Sequence, residues 1–383
     1  MKQLNTYSIA LGLSGILLLG FIILLVSGNF GYSGPVLVAF FIALAIGFRG
    51  YNQLKGLVFT IMIFAAVSLS MYYPQYFVEI DGFELTGLIT PLIQIIMFGM
   101  GTSMSAKDFV AVFKTPKAVG VGVSAQFLIM PIMGYLLATM SNFPPEIAAG
   151  IVLIGCSPSG MASNVMAYLA NANLALSLTI TAIATLLAPF VTPLLMNLLA
   201  GEFIAIDVLA MMWSIVKMII IPIGAGLVFN KLFGGKAKWL DKAMPVVSML
   251  GIGLIIVVIT AAGRDSLLDI GGLLILLVLI HNLFGYTFGY WYARLLKMPE
   301  RDARTIAIEV GMQNGGLASG IANSVGKIAT MGLAPAVFGP LMNITGSILA
   351  SYWHKKIPEG YEEESIDPAV TEKIDPQKDT TLM

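Results

Sequence analysis

The feature that most constrains this chain is a polar stretch in the middle of a long apolar run. The stretch Gly155-Cys-Ser-Pro-Ser-Gly-Met-Ala-Ser-Asn164 carries one proline, two glycines, three serines and one asparagine. Within hydrocarbon, every backbone N–H and C=O must be hydrogen-bonded inside the protein. A segment this rich in helix-breaking residues is therefore expected to unwind where protein or a wet cavity surrounds it.

A second polar stretch, Ile308-Glu-Val-Gly-Met-Gln-Asn-Gly-Gly316, interrupts a later apolar run in the same way. Two interrupted hydrophobic segments in corresponding halves of a chain are the best sequence indication of a transporter binding site. The two stretches therefore predict a pair of broken membrane helices with a site between them.

The composition excludes the common soluble classes. Of the 383 residues, 57% are hydrophobic and only 11% are charged, whereas a soluble domain has about 25% charged residues. We therefore predict an all-α polytopic membrane protein. The zero net charge disfavours nucleic-acid binding. The sequence has no HExxH, P-loop or GxSxG motif, which are the motifs of zinc hydrolases, phosphate-binding enzymes and serine hydrolases. We therefore do not expect an enzyme.

Counting about 20 apolar residues for each span predicts about twelve membrane spans. They lie near 7–27, 35–50, 57–77, 86–103, 118–140, 146–169, 173–199, 205–230, 243–262, 270–293, 302–326 and 332–353. With these spans, the lysine-rich and arginine-rich loops fall on one side, which places both termini in the cytoplasm. The charged, proline-containing segment 354–383 predicts a disordered cytoplasmic tail. The expected location is the cell (inner) membrane.

The segments 57–199 and 205–353 look like related halves with five spans each. Each half has one interrupted span and one span with a polar amide, Gln126 in the first half and Asn282 in the second. Since an odd number of spans per repeat forces the halves into opposite orientations, the repeat is expected to be inverted. Segment 1–56, with the first two spans, stands outside the repeat as an N-terminal two-helix addition.

Glu309 is the one acidic residue predicted within a span, and it lies inside the second polar stretch. A lone charge at mid-bilayer costs about 2.5–3.5 kcal/mol on insertion scales, so it needs a partner. One interpretation is a structural ion pair with Lys217, the one basic residue deep in a span. The other is a cation ligand or a proton relay, which the position of Glu309 within the polar stretch favours.

Other oxygen-bearing side chains accompany Glu309 on the interrupted spans and the spans beside them. They are Gln126, Ser163, Asn164, Ser177, Thr181 and Gln313. Hard cations prefer oxygen ligands, so this set suits Na⁺ and suits a transition metal poorly. A single serine or threonine in a membrane helix often bonds its own i−4 carbonyl instead, so the prediction depends on the whole set converging. The N-termini of half-helices attract anions, as do the amides of Asn314 and Asn343.

Several motifs together resemble one known family. They are Phe98-Gly-Met-Gly101, Ala125-Gln126-Phe127, Ala162-Ser-Asn-Val-Met166, Glu309-Val-Gly-Met-Gln-Asn314 and Asn343-Ile. Over 57–353, the chain resembles a bacterial homologue of the bile acid:sodium symporter family. The resemblance implies ten spans in two bodies, with two discontinuous helices crossing near the middle of the membrane. The panel would comprise 57–103 and 205–262, and the core 118–199 and 270–353.

The resemblance also implies two sodium sites. The first would use the side chains of Ser163, Asn164, Ser177, Thr181 and Glu309. The second would use the side chains of Gln126, Glu309 and Gln313 with backbone oxygens of Val310 and Met312. The substrate would lie beside the crossing, near Asn314 and Asn343.

The chain departs from the family on the substrate side. Bacterial relatives often read Pro-Gly-Gly-Thr-Ala-Ser-Asn, whereas this chain reads Pro158-Ser-Gly-Met-Ala-Ser-Asn164. Met161 removes a hydroxyl that could meet a polar substrate, so we predict that Met161 belongs to the substrate-binding surface. The sodium chemistry is expected to be kept while the substrate preference differs.

These features predict a sodium-coupled symporter of a small or amphipathic organic anion, with a carboxylate as the expected substrate and two Na⁺ as coupling ions. A proton-coupled transporter that works through Glu309 is the alternative within the same class. A membrane receptor that binds the anion without moving it is the alternative from another class. The expected partners are the anion and the lipid bilayer, with no nucleic acid, and a monomer is the expected state.

Overall fold

The computed structural model describes residues 6–51, 54–103, 115–233, 238–356 and 358. The helices are α1 (Thr6–Val26), α2 (Phe30–Phe48), α3 (Val58–Tyr72), α4 (Gln75–Val78), α5 (Ile89–Ser103), α6 (Pro116–Ser141), α7 (Pro145–Cys156), α8 (Ala162–Leu169), α9 (Leu174–Ala200), α10 (Val208–Ile215), α11 (Ile221–Phe233), α12 (Lys238–Ala262), α13 (Arg264–Leu295), α14 (Glu300–Gly311), α15 (Gly315–Ser324), α16 (Ile328–Met331) and α17 (Leu333–His354). A π-helical turn, Val216–Ile220, joins α10 to α11. Between α4 and α5 lies a small antiparallel hairpin of β1 (Glu79–Ile80) and β2 (Phe83–Glu84).

The helices account for every predicted membrane span. Within the described residues, nine helices are long and apolar enough to cross a membrane. Two further spans are each present as a pair of shorter helices, α7 with α8 and α14 with α15, and α12 contains the apolar segment Val246–Ala262. The protein is therefore an all-α multi-pass membrane protein. The inverted relation between the halves and the division into panel and core remain predictions, and the predicted tail lies almost wholly outside the described residues.

The first two helices form a pair at the edge of the helical bundle. They pack against each other, and α2 packs against α3. A Cβ added at Gly47 would lie 2.6 Å from Leu11 Cδ2, so the two helices approach closely there. The hydroxyls of Ser33 and Tyr72 are 2.7 Å apart and join α2 to the end of α3. Only 11% of the apolar window of α1 is buried, so α1 is the more peripheral of the two.

The two polar stretches interrupt their helices at the predicted places. The first break separates the end of α7 at Cys156 from the start of α8 at Ala162. The second separates the end of α14 at Gly311 from the start of α15 at Gly315. In the first break Pro158 lacks an N–H, and the second break is flanked by Gly311, Gly315 and Gly316, which are poor helix formers, so neither run continues as one helix.

The breaks lie against each other and satisfy each other's backbone groups. Their contacts are the antiparallel bridge between Ser159 and Gln313, the Gly160 N–H donating to the Met312 carbonyl (2.9 Å) and the Asn314 N–H donating to the Pro158 carbonyl (2.8 Å). Irregular backbone is tolerated at membrane depth only when protein or a wet cavity satisfies it. This mutual pairing is how the fold accommodates two unwound segments inside an apolar bundle.

Glycines let the neighbouring helices approach the breaks closely. A Cβ at Gly155 in α7 would lie 2.5 Å from the Met130 carbonyl oxygen of α6. A Cβ at Gly285 in α13 would lie 2.8 Å from Gly311 Cα at the end of α14. Small residues of this kind allow close packing of membrane helices. As a result, α6, α9, α13 and α17 all pack against the broken helices.

Candidate functional site

The carboxylate of Glu309 lies in the last turn of α14 and is fully buried. Four hydroxyls donate hydrogen bonds to it: Ser163 (2.6 Å) and Ser177 (2.5 Å) to Oε1, and Ser159 (2.7 Å) and Thr181 (2.8 Å) to Oε2. None of the ion pairs in the described part of the chain includes Glu309. Buried charges in proteins are paired or coordinate metals, so this carboxylate among hydroxyl oxygens has the character of a cation ligand.

The structural alternative, an ion pair between Glu309 and Lys217, is not formed. The Lys217 ammonium lies 5.4 Å from the centroid of the Trp213 ring. Lys217 belongs to the π-helical turn and Trp213 to α10, one turn earlier. A cation–π contact of this length satisfies part of the lysine charge, and it leaves Glu309 with neutral partners.

Local sequence explains how these hydroxyls reach the carboxylate. Ser177 and Thr181 are four residues apart in α9 and therefore share one face of that helix. Ser163 lies in the first turn of α8, directly after the break. Helix α9 is held against α14 by Asn173, whose backbone N–H donates to Thr305 Oγ1 at 2.8 Å. The side chain of Asn173 also caps the start of α9.

The numbers of protons and oxygens in this cluster suit a cation. A hydroxyl carries one proton, yet each of three hydroxyls lies within hydrogen-bond distance of Glu309 and of a second acceptor. The second acceptors are the Gly160 carbonyl for Ser163 (2.7 Å) and Asn164 Oδ1 for both Ser177 (2.8 Å) and Thr181 (3.4 Å). Lone pairs therefore outnumber protons, and a shared cation would balance them. All five residues predicted for the first sodium site lie in this one hydrogen-bonded cluster.

The glutamines predicted for the second sodium site form a separate amide cluster. Gln126 Nε2 donates to Gln313 Oε1 at 2.8 Å and to the Ser157 carbonyl at 3.0 Å. Gln313 Nε2 donates to the Val310 carbonyl at 2.6 Å. Both glutamines are fully buried, and Gln126 Oε1 has no hydrogen-bond partner. An unpaired buried oxygen is costly, and a cation is a partner that would satisfy it.

The other two residues predicted for the second sodium site, Met312 and Glu309, form no hydrogen bond with the two glutamine side chains in the described part of the chain. The Met312 carbonyl accepts the Gly160 N–H at 2.9 Å and retains a second lone pair. The four hydrogen bonds of Glu309 all lie in the first cluster, and among the described residues no hydrogen bond joins it to either glutamine. The fold thus brings Gln126, Val310 and Gln313 together and leaves Glu309 on the side of the hydroxyls.

The three predicted substrate residues are spread around the crossing. Asn314 caps α15, with its Oδ1 accepting the Leu317 N–H at 3.0 Å. Met161 directly precedes α8 and is partly buried. Asn343 is a partly exposed residue of α17, and no hydrogen bond in the described chain connects it to the other two. The N-termini of α8 and α15 both begin at the crossing, so the positive ends of two helix dipoles would favour an anion there.

Two polar residues at the breaks were not predicted to be part of the site. Ser159 is the fourth hydroxyl on Glu309. Asn282 Nδ2 donates to the Gly311 carbonyl at 2.8 Å, at the end of α14. The sequence indication for Ser159 was its position in the first polar stretch. For Asn282, the sequence indication was an amide side chain in the predicted span that corresponds to the span of Gln126.

Comparison with known proteins adds an independent line of evidence on the family of this chain. The family model described as "Sodium Bile acid symporter family" matches residues 90–270. The uncharacterized sodium-dependent transporter YocS of Bacillus subtilis (strain 168) is 40% identical over 303 residues, which cover 79% of this chain and 92% of that protein. The probable sodium/metabolite cotransporter BASS1, chloroplastic, of Arabidopsis thaliana is 32% identical over 269 residues, covering 70% of this chain and 67% of that protein. The probable sodium/metabolite cotransporter BASS5, chloroplastic, of the same plant is 31% identical over 299 residues, covering 76% and 70%.

Proposed function

Because the chain belongs to the sodium bile acid symporter family, we propose that it is a sodium-coupled symporter of an organic anion. The observation that carries this proposal is the buried carboxylate of Glu309, which accepts four hydroxyl hydrogen bonds and belongs to no ion pair in the described chain. Carboxylate, hydroxyl and amide oxygens are the ligands that a hard cation takes. Na⁺ would thus be a transported coupling ion.

Two ions would bind at the crossing. The first would sit in the hydroxyl cluster, where Ser163, Ser177 and Thr181 can turn lone pairs towards it and Asn164 adds an amide oxygen. The second would use the unpaired Gln126 Oε1, the side chain of Gln313 and the carbonyls of Val310 and Met312. Glu309 would supply the negative charge. Two Na⁺, one carboxylate and one monoanion sum to zero, which matters because net charge is costly in a low-dielectric site.

The anion would lie beside the ions, next to Met161, Asn314 and Asn343. The half-helices α8 and α15 point their N-termini at the crossing, and such ends stabilise negative charge. Met161 presents an apolar thioether where the family pattern that the sequence resembles has a hydroxyl. This favours a carboxylate whose neighbouring carbons are apolar over one that carries a hydroxyl there.

Sodium binding would tie the broken helices together and so prepare the anion site. The ligands of the first ion come from α8, α9 and α14, which an ion would hold in one arrangement. The core, 118–199 with 270–353, would then move against the panel, 57–103 with 205–262, and expose the site to the other side. Both termini would face the cytoplasm of a cell whose inner membrane holds the protein.

The proposal is tested by the thermal stability of the purified protein in Na⁺ or in K⁺ at equal ionic strength, across a panel of small and amphipathic carboxylates. A species that binds the native state stabilises it by RT ln(1 + [L]/Kd). We expect Na⁺ alone to stabilise the protein and at least one carboxylate to stabilise it only when Na⁺ is present. Absence of any stabilisation by Na⁺ would refute sodium coupling.

Uptake of that carboxylate into proteoliposomes then separates the rival functions. An inward Na⁺ gradient should drive accumulation. Accumulation driven by a pH gradient in sodium-free buffer would assign proton coupling instead. Sodium-dependent binding without any flux would assign a receptor.

A further inference from the structure

A third buried polar cluster joins α13, the second break and α17. Asn282 Nδ2 donates to the Gly311 carbonyl at 2.8 Å, and Asn282 Oδ1 accepts the Thr345 hydroxyl at 2.6 Å. The Tyr286 hydroxyl donates to the Met342 carbonyl at 3.2 Å and lies 3.3 Å from Thr345 Oγ1. Asn282 is fully buried. The cluster therefore forms a continuous polar connection between three helices.

Asn282 stands in the second half where Gln126 stands in the first. Gln126 in α6 donates its amide to the Ser157 carbonyl, just after α7 ends. Asn282 in α13 donates its amide to the Gly311 carbonyl, the last residue of α14. A helix end leaves carbonyls without partners, and in an apolar bundle each one needs a donor. The two amides meet the same need, but Asn282 Oδ1 faces a hydroxyl of α17 whereas Gln126 Oε1 is unpaired.

The connection runs between the two proposed binding regions. Gly311 lies between Val310 and Met312, whose carbonyls are proposed ligands of the second ion. At the other end, Thr345 lies two residues after Asn343, the proposed anion contact on α17. A displacement of the turn of α17 that carries Asn343 and Thr345 would therefore be transmitted to Gly311 through two hydrogen bonds.

Thr345 can donate its single proton either to Asn282 or to a carbonyl of its own helix. Its Oγ1 lies 2.6 Å from Asn282 Oδ1, 3.1 Å from the Leu341 carbonyl and 3.3 Å from the Met342 carbonyl. A threonine in a membrane helix readily bonds its own i−4 carbonyl, so the hydroxyl can leave Asn282 without becoming unpaired. Such an element with two discrete arrangements is what energetic coupling between sites requires.

We propose that Asn282 and Thr345 are positioning residues that couple sodium binding at the second break to the anion-contacting turn of α17. This inference rests on the proposed sodium-coupled function. Sodium at the Val310 and Met312 carbonyls holds Gly311 in place, which keeps Asn282 Oδ1 aimed at Thr345 and orders the turn that carries Asn343. By thermodynamic reciprocity, an anion that orders this turn strengthens sodium binding by the same factor.

The test measures hydrogen–deuterium exchange of the purified full-length protein in detergent, with Na⁺ or K⁺ at equal ionic strength. In the wild type, Na⁺ should slow exchange both in the break, 308–316, and in the turn, 340–346. In Thr345→Val, which keeps the shape and removes the hydroxyl, Na⁺ should still slow exchange in the break. Its effect on the turn should shrink by about two- to thirtyfold, the range expected for removing one member of a coupling network.

Thr287→Val is the matched control. The Thr287 hydroxyl lies on α13 and donates to its own Leu283 carbonyl at 2.8 Å, away from the cluster. This variant removes a threonine hydroxyl from a membrane helix without touching Asn282, so Na⁺ should protect both segments as in the wild type. If Thr345→Val does not fold, Tyr286→Phe removes only the contacts with Met342 and Thr345 and should weaken protection of the turn alone.

The outcomes separate this inference from the function on which it rests. If Na⁺ protects neither segment in the wild type, both the sodium site and the coupling are refuted. If Na⁺ protects the break but Thr345→Val and Tyr286→Phe leave protection of the turn unchanged, the coupling is overturned while the sodium function stands. Equal loss in both segments would make the pair a requirement for sodium binding and would also overturn the coupling.

Discussion

Thr181→Val should weaken Na⁺ binding by about tenfold. The Thr181 hydroxyl donates to Glu309 Oε2 at 2.8 Å and lies 3.4 Å from Asn164 Oδ1. Valine keeps the shape but offers neither a proton nor a lone pair. A hydrogen bond to a charged group contributes about 1.5–3 kcal/mol, and 1.4 kcal/mol is a factor of about ten in an equilibrium constant. The sodium-free state also loses this bond but keeps Ser159 on the same oxygen, so we expect the lower end of that range.

Thr179→Val is the control within the same helix. Thr179 is also buried in α9, but its hydroxyl donates to the Ala175 carbonyl of its own helix at 2.7 Å. The two substitutions are chemically identical and differ only in whether the lost hydroxyl contacts Glu309. Sodium affinity of the Thr179 variant should stay within about twofold of the wild type, since its hydroxyl shares no partner with the Glu309 cluster.

Two assays measure the difference between these variants. One is the sodium concentration that gives half-maximal thermal stabilisation of the purified protein, and the other is the sodium half-saturation of uptake at constant ionic strength. Wild-type half-saturation in Thr181→Val would refute the assignment of this hydroxyl to the ion. An equal loss in both variants would show that the effect is a general property of α9.

Three further predictions address the other parts of the site. Glu309→Gln should abolish sodium-dependent stabilisation and uptake, and retained sodium affinity would contradict the role of the carboxylate. Gln126→Leu should remove the second ion and bring the Hill coefficient for Na⁺ down towards one; an unchanged coefficient in uptake titrations would count against the second site. Gly155→Ala places a Cβ 2.5 Å from the Met130 carbonyl oxygen and should cost about 1–3 kcal/mol of stability. Gly12→Ala, where nothing lies within 4 Å, should not lower the melting temperature, and equal melting temperatures for the two variants would refute the packing argument.

The spans and their interruptions could be predicted because both depend on local sequence. A run of apolar residues long enough to cross the bilayer must form a helix, whereas a cluster of glycines with polar residues, and with proline in the first stretch, disfavours a continuous helix. The breaks after Cys156 and Gly311 therefore appear where the polar stretches indicated. The hairpin Glu79–Glu84 between α4 and α5 was not predicted, because its strands are only two residues long and fall below any periodic signal.

The candidate site could be predicted only in part. The four-residue spacing of Ser177 and Thr181 indicates a common helix face. The family resemblance supplied the remaining members of the first sodium site. Ser159 was missed because a serine in an unwound segment has no periodicity that indicates where its hydroxyl lies. The unpaired oxygen of Gln126 could not be predicted either. It depends on the Gln126 Nε2 group donating to the Ser157 carbonyl and to Gln313, which lies 187 residues away.

The sequence by itself determined that the chain spans a membrane many times, that two of its helices are broken and that an acidic residue lies beside one break. These properties follow from hydrophobicity, chain length and the conformational limits of proline and glycine. Only the tertiary structure decided that the breaks pair with each other, that four hydroxyls converge on Glu309 and that Asn282 links the second break to α17. Those contacts join residues as far apart as Ser159 and Glu309, 150 positions along the chain. No local rule specifies them, because they depend on how whole helices pack.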